Sequence, residues 1–152
     1  MEPNEFTKKM TIKASNINVQ LSESNISQFE KYMDILLDWN EKINLTAITK
    51  KEEIIDKHFI DSLTINKYVK DKDKIIDIGT GAGFPGIPLK IVKSETEIML
   101  LDSLNKRINF LNEVINNLEL KNINTIHGRA EEIARNNMYR EKYDVAVSRA
   151  VA

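Results

Sequence analysis

A short apolar segment, Lys74–Ile78, runs directly into a loop that has glycines at positions 79, 81 and 83. Because glycine lacks a Cβ, such a loop can turn sharply after a strand and approach a ligand closely. From this loop onward, short apolar runs alternate with amphipathic segments, a pattern that predicts a parallel sheet wound by helices. Ligands of such sheets bind at the carboxyl ends of the strands. The segment therefore predicts an α/β protein whose binding site surrounds the glycine loop.

The predicted elements fall into two parts, although 152 residues suit one core-bearing domain better than two. Residues 1–70 are predicted to form a helical extension, with helices over Ser22–Ile43 and from Lys51 to about Asn66 and a loose arm or short helix over residues 1–20. Residues 71–152 are predicted to form a Rossmann-like domain. Its strands are expected near Lys74–Ile78, Glu97–Asp102, Ile123–His127 and Tyr143–Ser148, and its helices near Gly86–Val92, Lys106–Leu118 and Ala130–Asn136.

The glycine spacing distinguishes between cofactor classes. A dinucleotide loop has the pattern G-x-G-x-x-G, whose third glycine would fall on Phe84. The observed G-x-G-x-G, preceded by Asp77, is instead similar to the first motif of Rossmann-like methyltransferases. Roughly 20 residues further on, Asp102 ends the second predicted strand, where a carboxylate can accept hydrogen bonds from ribose hydroxyls. The alternatives are that the glycines form only a tight turn and that Asp102 only caps the next helix.

The ends of the third and fourth predicted strands complete the expected site. Ala130 and Glu131 follow the third strand, where an adenine can meet backbone N–H groups. Arg149 follows the fourth strand, beside the expected position of a transferable methyl group. Methyltransferases that act on exocyclic amines commonly have an Asp/Asn-Pro-Pro-aromatic motif at this point, where the present chain has Ser148-Arg149-Ala150.

Missing residue types narrow the chemistry further. The sequence has no cysteine, which excludes disulfides, thiolate metal sites and the cysteine nucleophile that pyrimidine C5 methylation needs. Guanine N7, by contrast, carries an exposed lone pair and no proton, so its methylation needs positioning and electrostatics but no general base. A site without an evident base is therefore consistent with N7 chemistry.

Several motifs in order resemble one family, the bacterial small-subunit rRNA methyltransferase G, formerly called glucose-inhibited division protein B. They are Trp39–Ile48, His58–Leu63, Asp77–Pro88, Leu101–Leu104 with Lys106 and Arg107, Gly128–Glu132 and Ser148–Ala150. The resemblance implies an S-adenosylmethionine-dependent enzyme that transfers a methyl group to N7 of a guanine in 16S rRNA of the small ribosomal subunit. It implies cofactor contacts at Gly79, Phe84, Asp102, Ala130, Glu131 and Arg149, to which the loop geometry adds Gly81. We expect Arg149 to be catalytic as an electrostatic and positional group. Because family members carry further strands, we also expect an incomplete sheet in a chain truncated after its fourth strand.

The N-terminal motifs supply candidate substrate contacts at Asn44, Thr46 and His58. Asn44 and Thr46 are expected to touch RNA or to cap the break between two helices. His58 and Asp61 are three residues apart on a predicted helix, so they are expected to pair, as a structural contact rather than as a catalytic base. His127 is expected to be a turn residue, and no metal site is predicted. Trp39 and Phe29 are interpreted as helix core.

The net charge does not show where on the protein RNA would bind. The net charge of −1 does not favour RNA binding, which depends on neutralising phosphates, but it allows a local basic face. Candidate phosphate contacts are Lys50, Lys51, Lys57, Lys106 and Arg107. No apolar run reaches the roughly 20 residues that cross a bilayer, so we expect a cytoplasmic protein without membrane contact. We expect no oligomer of the intact protein.

Three alternative functions remain open at this stage. The cofactor loop also suits a methyltransferase that acts on another RNA or on a protein. A non-catalytic module that binds cofactor or RNA is a second alternative. A nucleotide-dependent oxidoreductase is disfavoured by Phe84 at the third glycine position.

Overall fold

The computed structural model describes residues 1–135 and 142–149. Its N-terminal part consists of helices α1 (Pro3–Ser15), α2 (Glu23–Asn40) and α3 (Lys51–Ile54), a π-helical turn (Ile55–Ile60), α4 (Asp61–Leu63) and a 3-10 turn (Asn66–Tyr68). The remainder alternates between strands and helices: β1 (Lys74–Ile78), α5 (Gly86–Val92), β2 (Glu97–Asp102), α6 (Asn105–Asn117), β3 (Ile123–His127), α7 (Ala130–Arg135) and β4 (Val145–Val147). Asn136 and Ala150, which the sequence analysis included, lie outside the described residues.

The four strands form one parallel sheet in the order β3-β2-β1-β4. β1 and β2 are largely buried, as expected of central strands covered on both faces. The register aligns Ile78 at the end of β1 with Leu101, and Asp102 at the end of β2 with His127. The glycine loop, Asp102 and the start of α7 therefore lie at one edge of the sheet, and the predicted Rossmann-like fold with an N-terminal helical extension is confirmed.

The first 20 residues are ordered as a helix and a turn, so the expectation of a loose arm is wrong and that of a helix is right. Phe6, Met10 and Ala14 are spaced by four residues and are all buried. This narrow apolar stripe is sufficient to hold α1 on the protein, because all three of its side chains enter the core. Beside this stripe, Lys9 pairs with Glu52 of α3.

The predicted second helix begins at Lys51 as expected but is not a regular α-helix. It passes through the π-helical turn Ile55–Ile60, which contains His58, and regular α-helix resumes at Asp61. In a π turn the backbone hydrogen bonds run from i to i+5, so residues three apart no longer lie on one face. Such turns are frequent at functional sites.

The N-terminal helices pack directly on the glycine loop. The rings of Phe29, Tyr32 and Phe59 form a cluster with Phe84 of the loop, with centroids of neighbouring rings 5.0–6.1 Å apart. The Tyr32 hydroxyl donates to the Ala82 carbonyl at 2.5 Å. Phe29 is fully buried, as predicted, and Trp39 packs against Phe110 of α6 with ring centroids 5.9 Å apart. The extension and the sheet therefore share one hydrophobic core.

Candidate cofactor site

The three loop glycines and Gly86, the first residue of α5, are constrained in two different ways. A Cβ on Gly83 would lie 2.6 Å from the Tyr32 hydroxyl, and one on Gly86 would lie 2.4 Å from Leu100, so packing requires glycine at both positions. Gly79 and Gly81 have φ values of +67° and +60°, and a Cβ at either would meet nothing within 4 Å. Their constraint is the left-handed backbone, and they leave open space beside the loop.

Asp77 holds the two ends of this loop. Its side chain is fully buried, and Oδ2 accepts hydrogen bonds from Thr80 Oγ1 at 2.7 Å and from the Gly86 amide at 2.9 Å. Oδ1 is also buried and has no hydrogen-bond partner among the described residues. Burial raises the pKa of Asp77 from 3.8 to about 7, against the lowering effect of these two hydrogen bonds. The sequence motif contains Asp77, but no sequence signal predicts this unpaired acceptor.

Asp102 contacts both the glycine loop and the turn that leads into α6. Its Oδ2 accepts from the Gly81 amide at 2.8 Å, and its Oδ1 accepts from the Leu104 amide, at the start of α6, at 3.0 Å. Arg107 Nη1 lies 3.5 Å from Oδ1. Each carboxylate oxygen has a second lone pair, so Asp102 retains acceptor capacity for a ligand. The bond to Leu104 holds the turn that precedes α6, which has no side-chain cap, and it does not exclude the expected ribose contact.

A cleft of about 430 Å³ lies at the carboxyl ends of β1, β2 and β3. Four of the predicted cofactor residues line it together: Gly79, Asp102, Ala130 and Glu131. The volume lies within the range of about 300–1,000 Å³ that is usual for small-molecule sites. A wider cleft of about 560 Å³ lies at the amino ends of the strands, where parallel sheets do not normally bind ligands.

Phe84 is not among the residues that line this cleft. Its ring is buried and stacks on His58 with centroids 4.4 Å apart and an interplanar angle of 11°. The guanidinium carbon of Arg149 lies 5.2 Å from the centre of the same ring. Phe84 and Arg149 therefore join the loop to the N-terminal helices, and their predicted cofactor contact stays a prediction.

A polar chain connects two of the predicted substrate residues to Arg149. His58 Nδ1 lies 3.1 Å from Arg149 Nη2, and His58 Nε2 lies 2.7 Å from Thr46 Oγ1. Because a guanidinium only donates, Nδ1 accepts, and the imidazole proton is on Nε2, which donates to Thr46. The expected pairing of His58 with Asp61 is wrong, since both ring nitrogens are engaged elsewhere and the π turn separates the two residues' faces.

His58 is neutral near pH 7 in this arrangement. Burial, and then the positive charge of Arg149, lower the pKa of His58 from 6.5 to about 4. The neutral ring can accept from Arg149, whereas protonation would place two cations 3.1 Å apart.

The pH dependence of stability is expected to depend on His58. A depressed folded-state pKa contributes stability above the unfolded value of 6.5, and this stability is lost as the pH falls towards about 4. Thermal unfolding between pH 7.5 and 4.5 should therefore show a steeper acid loss for wild type than for His58→Gln. The exposed His127, replaced by glutamine, is the control and should retain the wild-type slope. Equal slopes for wild type and His58→Gln would contradict the buried neutral state.

Asn44 lies apart from Thr46 and His58, in a separate cleft that it lines with Lys42, Lys106 and Arg107. The loop that separates the two positions is shaped by Asn40, whose Oδ1 accepts from the amides of residues 45 and 46 at 2.9 and 3.0 Å. Asn40 lies within the motif Trp39–Ile48, but this role is not predictable from the motif. The predicted substrate residues therefore occupy two places.

Within residues 1–135 and 142–149, no helix is long and apolar enough to cross a bilayer. The same residues contain no group of three His, Cys, Asp or Glu side chains arranged to hold a metal ion.

The sheet order, the glycine loop and the carboxylate at the end of β2 define a Rossmann-like methyltransferase fold. The structure is similar to a Plasmodium falciparum protein described as a protein-L-isoaspartate O-methyltransferase, in complex with S-adenosyl-L-homocysteine. The TM-score is 0.60 at 15% identity, over 95% of this chain and 73% of the other. Coclaurine N-methyltransferase, bound to N-methylheliamine and SAH, aligns with a TM-score of 0.51 at 13% identity, over 97% of this chain and 45% of the other. These likenesses concern the fold.

The chain belongs to the rRNA small subunit methyltransferase G family, whose sequence model matches residues 25–152. Relatives named Ribosomal RNA small subunit methyltransferase G are 58% identical in Lachnoclostridium phytofermentans, over 90% of this chain, and 54% identical in Clostridium novyi, over 94% of it. The relative in Clostridium botulinum strain 657 is 53% identical over 97% of the chain. The chain spans 57–63% of the length of these three relatives.

Proposed function

We propose that this chain is the cofactor-binding part of an S-adenosylmethionine-dependent methyltransferase that modifies N7 of a guanine in 16S rRNA. The observation that carries the proposal is the cleft at the carboxyl edge of the sheet, where Gly79, Asp102, Ala130 and Glu131 meet. Membership of a family named for rRNA methylation supports the RNA substrate. The lack of a cysteine and of the amine-methylating motif supports a ring nitrogen as the acceptor.

The residues of the site suit the proposed cofactor, which when bound supplies an electrophilic methyl group on a sulfonium. Asp102, which lines the cleft, would accept from ribose hydroxyls. The backbone at Ala130 and Glu131 would face the adenine. The buried, unpaired Oδ1 of Asp77 is an acceptor that a cationic ligand near the loop would stabilise in its charged form.

The side chains around Arg149 suit positioning rather than proton removal. His58 holds Arg149 through Nδ1, and its remaining proton is directed at Thr46, so it is not available as a base towards a substrate. The guanidinium keeps its charge at all relevant pH values. Its Nη1 is buried and has no hydrogen-bond partner among the described residues, which leaves a donor for a substrate or cofactor oxygen.

The acceptor atom is tested with modified RNA. The whole enzyme that contains this cofactor-binding part should transfer a labelled methyl group to 16S rRNA transcribed with ordinary guanosine. It should transfer none to the same RNA transcribed with 7-deazaguanosine, in which a carbon replaces N7. Transfer to the 7-deaza RNA would overturn the N7 assignment, and transfer to tRNA in preference to 16S rRNA would overturn the substrate assignment.

Replacement of Asp102 by alanine is expected to weaken S-adenosylhomocysteine binding by about 1.5–3 kcal/mol, the range for hydrogen bonds to a charged group. This corresponds to a roughly 10- to 150-fold higher Kd in isothermal calorimetry. Asp73→Ala is the matched control, because Asp73 also accepts a backbone amide, that of Lys70 at 2.8 Å, but does so before β1 at the opposite edge of the sheet. A loss below about 0.5 kcal/mol for Asp102→Ala would mean that Asp102 holds only the glycine loop and the turn before α6 and does not contact the cofactor.

A further inference from the structure

A basic cleft of about 350 Å³ adjoins the cofactor cleft, from which residues 102–104 separate it. Its lining consists of Lys42, Ile43, Asn44, Leu104, Lys106 and Arg107. We propose that this basic cleft binds the sugar–phosphate backbone of the RNA substrate next to the cofactor. This inference rests on the proposed function and extends it by assigning the residues that would bind the RNA backbone.

The fold brings the cations of the basic cleft together from distant parts of the sequence. The edge contact between Trp39 and Phe110 packs the end of α2 against α6. Lys42 follows the end of α2, and Lys106 and Arg107 lie in the first turn of α6. This packing gives the cleft its two walls.

The charge of the basic cleft is of one sign. All its charged lining side chains are cationic, in a protein whose net charge is −1. Arg107 lies 3.5 Å from Asp102, but only the arginine is accessible to a partner: its side chain is 35% exposed, against 2% for the carboxylate. The surface that an RNA would meet is therefore more basic than the ion pair suggests.

The other lysines expected to contact phosphate are placed among carboxylates. Lys57 pairs with Glu53 at 3.5 Å. Lys50 and Lys51 line a cleft that also contains Glu2, Glu5, Glu52 and Glu53. A phosphate there would meet repulsion that is absent from the lining of the basic cleft, so of the five candidates the structure favours Lys106 and Arg107.

The neutral lining also suits a nucleotide chain. Asn44 is exposed, and its side-chain amide can both donate to phosphate and accept from a 2′-hydroxyl. Leu104 is 49% exposed and offers an apolar contact for a sugar or a base. The position beside Asp102 would hold the RNA within reach of the cofactor cleft.

The test is the salt dependence of RNA binding. Filter binding of 16S rRNA to the full chain, over a series of KCl concentrations, gives the slope of log Kd against log salt. A phosphate contact contributes about 0.7–0.9 to this slope, so Lys42→Gln/Lys106→Gln should lower it by roughly 1.5. Affinity for S-adenosylhomocysteine should stay unchanged, because neither lysine lines the cofactor cleft.

Lys72→Gln/Lys121→Gln is the matched control, because these exposed lysines precede β1 and β3 at the opposite edge of the sheet. This double variant should keep the wild-type slope. An unchanged slope in Lys42→Gln/Lys106→Gln, with 16S methylation retained, would overturn the assignment of RNA binding to the basic cleft and would leave the proposed function intact. A weaker affinity with an unchanged slope would likewise exclude phosphate contacts. Failure of the wild-type chain to bind 16S rRNA would overturn both proposals.

Discussion

Replacing Gly81 by valine is expected to abolish binding of S-adenosylhomocysteine, with a loss of more than about a hundredfold, in a chain that still folds. Gly81 has a φ of +60°, a region in which a β-branched residue is strongly disfavoured. Its amide donates to Asp102 Oδ2 at 2.8 Å, so a backbone shift that relieves the strain would displace the proposed ribose acceptor. The new side chain would also fill the open space beside the loop.

Asn18→Val is the matched control for Gly81→Val, since Asn18 has a nearly identical φ of +61° in the connection between α1 and α2. Both variants should lose stability by about 1–3 kcal/mol, the usual cost of a residue in a sparsely populated backbone region. Calorimetry should show lost affinity only for Gly81→Val, and thermal unfolding should confirm that both variants fold. Wild-type affinity in Gly81→Val would sink the assignment of this loop to the cofactor.

Arg149→Lys is expected to lower the methyl-transfer rate by about a hundredfold or more, although the charge is kept. Loss of one preorganised donor at a reaction centre typically costs about 10²–10³ in rate. The planar guanidinium contacts His58 Nδ1, lies over the Phe84 ring and retains a buried donor at Nη1. A lysine has a single ammonium group and cannot occupy these three positions together.

Single-turnover transfer of a labelled methyl group to 16S rRNA measures this effect. Arg135→Lys, an exposed change in the last turn of α7, is the control and should leave the rate within about twofold, since exposed substitutions have small effects. A similarly small effect of Arg149→Lys would show that methyl transfer needs only a positive charge at this position and not a guanidinium.

The same assay tests the mechanism through His58. The rate should show no bell-shaped pH dependence that His58→Gln removes, because N7 has no proton to transfer and the neutral imidazole already holds Arg149. A loss above about a hundredfold in folded His58→Gln, together with a bell-shaped wild-type pH profile that this variant lacks, would indicate a general base.

The sheet was predictable because its signals are local. The bounds of β1, β2 and β3 match the predicted segments residue for residue, and the mainly apolar β1 and β2 lie between turn residues. β4 is shorter than predicted, covering Val145–Val147 within the expected Tyr143–Ser148. Four of the predicted cofactor residues converge on one cleft because the ends of parallel strands share an edge.

The contacts that the sequence did not reveal join residues far apart in the chain. His58 and Arg149 are 91 positions apart, and no periodic pattern relates them. The π turn that places His58 also has no signal in the apolar spacing, which continues as in an α-helix. The unpaired oxygen of Asp77 and the cations of the basic cleft likewise depend on packing between elements, which a single sequence does not encode in its local spacing.

The hydrogen bond from Tyr32 to the Ala82 carbonyl, with the aromatic rings around it, means that the N-terminal helices support the conformation of the glycine loop. A chain begun at Lys74 would keep all three loop glycines and both carboxylates, yet one wall of the loop would face water. Such a fragment would not be a minimal cofactor domain. Conversely, a ligand that makes the loop more rigid would slow hydrogen exchange in α2, so ligand binding at the loop would be detectable in the N-terminal helices.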